Sequence, residues 1–429
     1  MKLKLEDHCD FINGGSWTAD EYSSTGFPVL KVSNFDKNSI SFEDLSYLQV
    51  ESYPKYTRNK LDLHDIVIAT VGSHPSVVNS AAGRVITIPK SGKGLLLNQN
   101  AVCLKTKNPN LIDQRYLGYL CKSQVFQHFI QQRGKGAANQ MRIPISGIKS
   151  FEFNFPGIES QRKIAAILSA YDDLIEKNLR RIQLLEEKAQ LTYEEWIVRM
   201  KFPGHESTPI NKETGLPEGW EKVFLKDIVK FQMGYSFKSE DFNSEGRGKK
   251  IVRIRNIPSS SSSDFTSEIV DNKYIVNKGD LLVGMDGEFY INNWYDKLAY
   301  LVQRVCNIQP LNRKHLAFVT ESIRTPIRIL QNSIDGATVA HLGKKHLDTI
   351  EIILPSNEKY FQLFEDLLLA KINISNQNQL LNEARDILLP RLMTGMIDVD
   401  ALDLSAFEQE DQEEMLMAAE AEVRYNSKK

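Results

Sequence analysis

Two stretches, residues 159–199 and 358–392, carry seam positions alternately four and three residues apart, and nothing else in the chain restricts its fold so tightly. In the first, Ile164, Leu168, Tyr171, Ile175, Asn178, Ile182, Leu185, Ala189, Thr192 and Trp196 keep the 3.5-residue period of a coiled-coil seam. Moving 199 residues on gives Leu363, Leu367, Ala370, Ile374, Gln377, Leu381, Ala384, Leu388 and then Arg391, the same seam in the same register. The polar residue in mid-seam falls at matching places, Asn178 and Gln377. Each stretch leaves its own globular segment, so two helices sharing one core must lie antiparallel. Such pairing is expected to set Asn178 opposite Gln377, where two amides penalise slipped registers.

At 429 residues the chain exceeds one ordinary core and calls for two or three domains. The expected class is α+β: two repeated globular α/β domains separated by two long α-helices that form an antiparallel coiled coil. The expected boundaries are 1–157 and 218–355 for the globular domains and 158–200 and 356–394 for the helices. A connector at 201–217 and an acidic tail at 395–429 complete the division. No apolar run approaches the roughly 20 residues that span a bilayer, and residues 1–11 alternate charge with Leu rather than building a signal core. A cytoplasmic protein without a membrane partner is expected. Cys9, Cys103, Cys121 and Cys306 are scattered, which predicts reduced, mostly buried thiols and neither a disulfide framework nor a zinc ribbon. A net charge of -2 argues against indiscriminate coating of nucleic acid and leaves room for a local basic face.

In the first globular segment, Phe11-Ile12-Asn13-Gly14-Gly15 reads as a helix-like turn closed by glycine, where positive φ is cheap. Val29-Leu30-Lys31-Val32-Ser33-Asn34, residues 65–72, 82–88 and 101–104 read as strands. Ser91-Gly92-Lys93-Gly94 lacks the spacing and the Lys-Ser/Thr ending of a phosphate loop and reads as a turn. Helical spacing over residues 116–132 ends at Arg133-Gly134-Lys135-Gly136-Ala137-Ala138-Asn139-Gln140-Met141-Arg142. That segment reads as a flexible basic loop, either hugging a phosphate backbone while Asn or Gln reaches a base edge, or simply a solvated connection.

The pattern then restarts. Leu225 and Gly234 repeat Leu5 and Gly14, and Arg253-Ile254-Arg255-Asn256 repeats Lys31-Val32-Ser33-Asn34. Residues 280–287 repeat 65–72, Gln303-Arg304-Val305 repeats Gln99-Asn100-Ala101, Gly336-Ala337 repeats Gly136-Ala137, and Pro355 repeats Pro156. The offset drifts from 220 through 215 and 204 to 199, the mark of an internal duplication whose loops have diverged. One frame thus presents two different surfaces.

Catalytic constellations are missing from the sequence. There is no Asn/Asp-Pro-Pro-Tyr motif, no glycine-rich cofactor fingerprint and no His-Glu-x-x-His. His341 and His346 have no cysteine or carboxylate at ligand spacing and read as loop histidines; Asp65 and Asp280 read as turn-forming aspartates before strands. No metal, cofactor or catalytic residue is expected in this chain.

Several stretches together resemble one family. Pro156, then Glu159-Ser160-Gln161-Arg162-Lys163-Ile164-Ala165-Ala166-Ile167-Leu168, Asp172-Asp173-Leu174-Ile175, and Tyr193-Glu194-Glu195-Trp196 running into Phe202-Pro203-Gly204-His205-Glu206 are similar to the specificity subunits of type I restriction-modification systems. So are Leu216-Pro217-Glu218-Gly219-Trp220-Glu221 and Leu388-Leu389-Pro390-Arg391-Leu392-Met393-Thr394-Gly395, and the resemblance covers residues 1–404. The second helix departs from it, opening Glu358-Lys359-Tyr360-Phe361 in place of Glu-x-Gln-x-x-Ile. The resemblance implies a non-catalytic subunit that reads a bipartite, asymmetric double-stranded DNA target. It also implies two methyltransferase subunits and a translocating nuclease subunit as partners, which would bind S-adenosylmethionine, ATP and magnesium themselves.

On that reading the helix seam, rising ~48 Å from Ile164 to Trp196 at ~1.5 Å per residue, serves as a ruler against the ~34–36 Å turn of DNA. The expected DNA contacts are Lys31, Asn34, Arg133, Lys135, Asn139, Gln140 and Arg142 in the first half and Arg253, Arg255, Asn256, Arg304, Lys344 and Lys345 in the second. Asn34 and Asn256, at repeated frame positions, are expected to be structural first. Tyr193, Trp196, Tyr360 and Phe361 are expected in the core rather than on a docking face. The rival reading is a coiled-coil adaptor whose repeats bind protein, and salt-insensitive association would favour it.

Overall fold

The computed structural model describes residues 1–35, 40–42, 45–72, 82–137, 140–334 and 340–403. The seam residues of the first stretch lie on a helix over Ile158–Tyr193, continued by one π turn over Glu194–Val198, and those of the second on a helix over Lys359–Met393. The chain divides into two compact units, Met1–Asp173 with the chain from Asn382 on, and Leu174–Leu381. The division passes through both long helices.

In the first unit the opening turns of the first helix meet the closing turns of the second. Ile164, Ala165 and Leu168 share a core with Leu388, Leu389, Leu392 and Met393. Arg385 Nη1 donates to Asp172 Oδ1 at 2.5 Å, and the Tyr119 hydroxyl donates to Asp172 Oδ2 at 2.7 Å. In the second unit Asn178 Nδ2 donates to Asn378 Oδ1 at 2.9 Å, and Lys371 Nζ lies 3.9 Å from Glu186 Oε1. Going forward from Asn178 to Glu186 matches going back from Asn378 to Lys371, so the helices run antiparallel. Leu185, Ala189, Tyr193 and Trp196 pack there with Tyr360, Phe361, Phe364 and Leu367. The four aromatics therefore belong to the core, Trp196 meeting Tyr360 at 6.3 Å and Phe364 at 6.2 Å, centroid to centroid.

One seam expectation is corrected. Gln377 is exposed, and Asn378 holds the buried place opposite Asn178. Phe364, Lys371, Asn378, Arg385 and Leu392 are buried at every seventh residue, with Leu367 and Ile374 buried beside them and Leu363, Leu381 and Leu388 half-buried at the flank. An apolar pattern passes over Lys371 and Arg385, because a charged residue enters a seam only with a partner. Burial pushes the Glu186 carboxyl up and the Lys371 ammonium down, each toward its neutral form.

Each unit carries the same antiparallel four-stranded sheet. In the first the order is Cys9–Asn13, Ala101–Thr106, Ile66–Ala69, Val85–Thr87; in the second it is Val229–Met233, Val305–Pro310, Leu281–Gly284, Ile291–Asn293. The continuous apolar runs of the inner strands follow from burial on both faces: every residue of Ile66–Ala69 and Leu281–Gly284 is buried. A separate terminal pair, Lys2–Lys4 with Glu152–Asn154 and Trp220–Phe224 with Glu351–Pro355, brings each unit's strand ends to the start of a long helix. The first helix is also anchored by Gln161, 1% exposed, whose amide bonds the Leu111 and Pro156 carbonyls and the Asp113 N–H. Tyr360 stands at the equivalent place in the second, ringed by Trp196, Phe202 and Trp220, so an aromatic cluster replaces the polar anchor.

Three local expectations change. Phe11–Asn13 is strand, and Gly14 is required by close approach rather than by positive φ: a Cβ there would stand 1.8 Å from the Asn98 carbonyl oxygen, and one at Gly234 2.1 Å from that of Val302. Strand ends at Leu30, because the Asn34 side chain turns the next residues into a 3-10 turn. The basic segment is not an open loop but carries strands Lys135–Ala137 and Gln140–Arg142, paired antiparallel. All four cysteines are free and buried, and burial pushes the Cys9 and Cys306 thiols up to about 12. Among the described residues no helix is long and apolar enough to cross a membrane.

Asn178 Oδ1 has no hydrogen-bond partner among the described residues, so the amide layer is under-satisfied. Replacing Asn378 alone with Leu should destabilise the fold by about 1–3 kcal/mol, by stranding the Asn178 amide. Replacing both with Leu should recover most of that loss, and denaturant unfolding of the four species in a double-mutant cycle measures the coupling.

Candidate nucleic-acid interface

The same backbone arrangement recurs at one end of each central sheet. In the first unit the Thr70 N–H donates to the Asn100 carbonyl at 2.7 Å and the Ile143 N–H to the Thr70 carbonyl at 2.8 Å, while Val71 pairs with Arg142. In the second, Met285 N–H meets the Arg304 carbonyl at 2.9 Å, Leu342 N–H meets the Met285 carbonyl at 2.8 Å, and Asp286 pairs with His341. Position by position, Val71, Asn100 and Arg142 correspond to Asp286, Arg304 and His341. Asn100 and Arg304 both hold left-handed backbone, φ 76 and 70.

The first-unit residues expected at DNA partly gather at this end. Lys31 follows Leu30, whose carbonyl takes the Asn98 N–H. Its ammonium donates to Ser46 at 2.7 Å and lies 4.5 Å from the Tyr22 ring centre, and it remains half-buried. Lys135 and Arg142 are exposed on the hairpin that pairs with Val71–Gly72. Arg133 is drawn back, stacked 3.4 Å over the Phe129 ring and bonded to the Phe129 carbonyl. Asn139 lies outside the described residues, as does the side chain of Gln140. Asn34 is 5% exposed and accepts the Lys31 N–H at 3.0 Å; Asn256 accepts the Arg253 N–H at 2.9 Å. Both asparagines are thus turn-formers through their side-chain oxygens.

In the second unit Arg253 lies 5.7 Å from the Phe242 ring centre, the counterpart of Lys31 over Tyr22. Arg255 bonds Asp264 at 2.5 Å, and Lys344 and Lys345 are exposed on the short helix Lys344–Leu347. Arg304 is where the two units differ most. Its Nε lies 3.2 Å from Asp286 Oδ2, and Asp286 Oδ1 lies 2.5 Å from His341 Nδ1. His341, read as a loop histidine with no carboxylate at ligand spacing, meets one that lies 55 residues away in sequence. Asp286 and His341 could have been found only by aligning the two halves, where they replace Val71 and Arg142. Left-handed backbone costs a side chain such as Arg ~1–2 kcal/mol, whereas Asn tolerates it, and a half-exposed ion pair returns ~0–1 kcal/mol. Arg304 is a poor stability device.

Asp65 and Asp280 are turn-forming and buried. Asp65 accepts the Asp62 N–H at 2.7 Å and meets Lys105 at 2.8 Å; Asp280 accepts the Asn277 N–H at 2.8 Å and meets Arg313 at 2.9 Å. Elsewhere in the second unit a groove of about 1090 Å³ is lined by Glu187, Glu194, Glu288 and Glu321 along with Arg324 and Arg328. Its mixed charge does not make a phosphate track.

Residues 1–187 and 217–383 match the family of the type I restriction modification DNA specificity domain, once for each half. The chain belongs to this family. It is a DNA target-recognition specificity protein, and the protein-binding adaptor reading is not favoured. The type I restriction enzyme MjaIX specificity subunit of Methanocaldococcus jannaschii is 26% identical over 67% of this chain and 70% of its own length. The putative MjaX specificity subunit of the same organism is 23% identical over 92% and 93%. The EcoBI specificity subunit of Escherichia coli is 27% identical over 45% and 43%. Among solved structures, the S subunit of a type I restriction-modification system from M. genitalium aligns over 91% of this chain and 95% of its own, with 16% identity and a TM-score of 0.48. The HsdS subunit from Thermoanaerobacter tengcongensis aligns over 92% and 93%, with 18% identity and a TM-score of 0.30.

Asn34→Ala and Asn256→Ala should each cost about 1 kcal/mol of stability through the lost turn bond, and leave the DNA target unchanged. Thermal unfolding together with methylation-site mapping separates the two effects.

Proposed function

We propose that this chain is the non-catalytic specificity subunit of a cytoplasmic type I restriction-modification complex, and that it reads a two-part, asymmetric target in double-stranded DNA. One recognition lobe, residues 1–157, reads one half; the other, residues 218–355, reads the second. The reading is carried by one observation: the backbone frame is duplicated hydrogen bond for hydrogen bond, while the side chains it presents, Val71, Asn100 and Arg142 against Asp286, Arg304 and His341, differ at every position. A frame kept for stability with its exposed set exchanged is what two different base sequences require.

The exposed basic groups Lys135, Lys344 and Lys345 supply phosphate contacts, which position the lobes without reading sequence. Two methyltransferase subunits and the restriction subunits carry the chemistry, with S-adenosylmethionine, ATP and magnesium bound by them. A docking face for a partner helix is supported by Leu184, Leu191 and Val198, which recur every seven residues on the first long helix and its π turn and are 47%, 62% and 54% exposed.

The test uses the full chain assembled with its modification partner. Exchanging residues 218–355 for the matching lobe of a relative with another target should change one half of the methylated sequence and keep the other; a change in both halves would refute independent lobes. Binding to duplex DNA should weaken about a thousandfold or more between 50 and 200 mM salt if six phosphates are contacted. Lys344→Ala with Lys345→Ala should lower the salt slope by about two, whatever the base sequence.

A further inference from the structure

We infer that Asp286, Arg304 and His341 form a preassembled guanine reader present in the second recognition lobe and absent from the corresponding place in the first. The inference rests on the DNA-reading function proposed above. It starts from the backbone: the frame imposes left-handed φ at Asn100 and Arg304 alike, and the first lobe fills the place with a residue that tolerates it. The second lobe fills it with arginine, against local preference, and a side chain held at such a place points to use. The salt bridge alone does not account for it, since the Arg304 side chain is 53% exposed and its pair with Asp286 is open to water.

The hydrogen-bond geometry says what the guanidinium is free to do. His341 Nδ1 lies 2.5 Å from Asp286 Oδ1, so that nitrogen carries the proton and donates to the carboxylate. Arg304 Nη1, 3.3 Å from the same Nδ1, then faces a donor and forms no hydrogen bond there. Asp286 Oδ2 lies within ion-pair reach of Arg304 Nε at 3.2 Å and steers the guanidinium plane. Both terminal nitrogens of Arg304 keep hydrogens to give. A planar pair of donors, oriented by a carboxylate at its rear edge and projecting from the end of a sheet, matches the two acceptors of guanine, O6 and N7, in the major groove. Arg304 is the specificity-determining residue and Asp286 and His341 are positioning residues. In the first lobe Asn100 offers no fork at the place of Arg304, and Arg142, at the place of His341, is paired with Val71 rather than with a carboxylate.

The test uses the complex of the full chain with its modification partner. Methylation-site mapping first defines the wild-type target, and methylation rates are then measured on duplexes carrying every single-base change. Arg304→Asn copies the residue the first lobe uses at this backbone and should fold at least as stably by thermal unfolding. It should cut the preference for one guanine in one half-target by about tenfold to a hundredfold, leaving the other half untouched. Arg304→Lys should fail to restore that preference, because a point charge lacks the fork. Asp286→Asn should weaken discrimination at the same base pair with little change in salt slope, which a merely structural residue would not do. A target half without a G·C pair, a uniform loss at all positions, or an unchanged profile with Arg304→Asn overturns the inference while leaving the DNA-reading function intact. If the wild-type complex shows no base preference at all, that function falls as well.

Discussion

The polar layers between the two long helices are the constraint on which the fold rests. A seam of leucines slides by a heptad at little cost; one crossed by Asp172 with Arg385 in the first unit, and by Asn178 with Asn378 and Glu186 with Lys371 in the second, does not. The strength of these pairs is not what matters, since well-packed apolar residues would hold the helices as well or better. Their value lies in the alternatives they exclude, because a slipped register strands a buried charge at about 3–5 kcal/mol for each broken ion pair. The terminal strands Glu152–Asn154 and Glu351–Pro355 run within a few residues of the helices' first turns, so register in the helices is also register at the edge of each lobe.

Much of this was legible in the sequence, and the reason is physical. A 3.5-residue period and its recurrence 199 residues later depend only on which side chains avoid water, so the helices and the duplication stood out. The inner strands Ile66–Ala69 and Leu281–Gly284 were equally clear, being apolar throughout. What failed in the seam had one cause, the satisfaction of polar groups by partners distant in sequence. Lys371 and Arg385 sit in the seam because Glu186 and Asp172 meet them; Asn378 displaces Gln377 because its amide reaches Asn178. Gly14 and Gly234 were recognised as frame glycines for the wrong reason, since close backbone approach is invisible before the strands are paired.

The interface was legible to a different degree. Basic residues that remain exposed, such as Lys135, Arg142, Lys344 and Lys345, were visible as charges in segments poor in apolar residues. Arg133, Asn34 and Asn256 have the same look and also make bonds within the protein, to Phe129 and in two turns. Side-chain type does not tell a group spent internally from one left for a ligand. Asp286 and His341 were passed over for the converse reason: each is unremarkable alone, and only pairing across 55 residues gives them a role.

The hydrogen bonds that build this end of each lobe explain how two recognition surfaces can diverge on one frame. Thr70 with Asn100 and Ile143, and Met285 with Arg304 and Leu342, are joined through backbone groups alone. A change of side chain at position 71, 100 or 142, or at 286, 304 or 341, therefore removes no bond on which the sheet depends. The single restriction is left-handed φ at Asn100 and Arg304, a cost of ~1–2 kcal/mol for most residues and small beside the total stability of a domain. Stability resides in the main chain and the core, and the exposed set is left to answer to the nucleic acid, so one lobe can acquire an acid-braced arginine where the other keeps an asparagine without either sheet being redesigned.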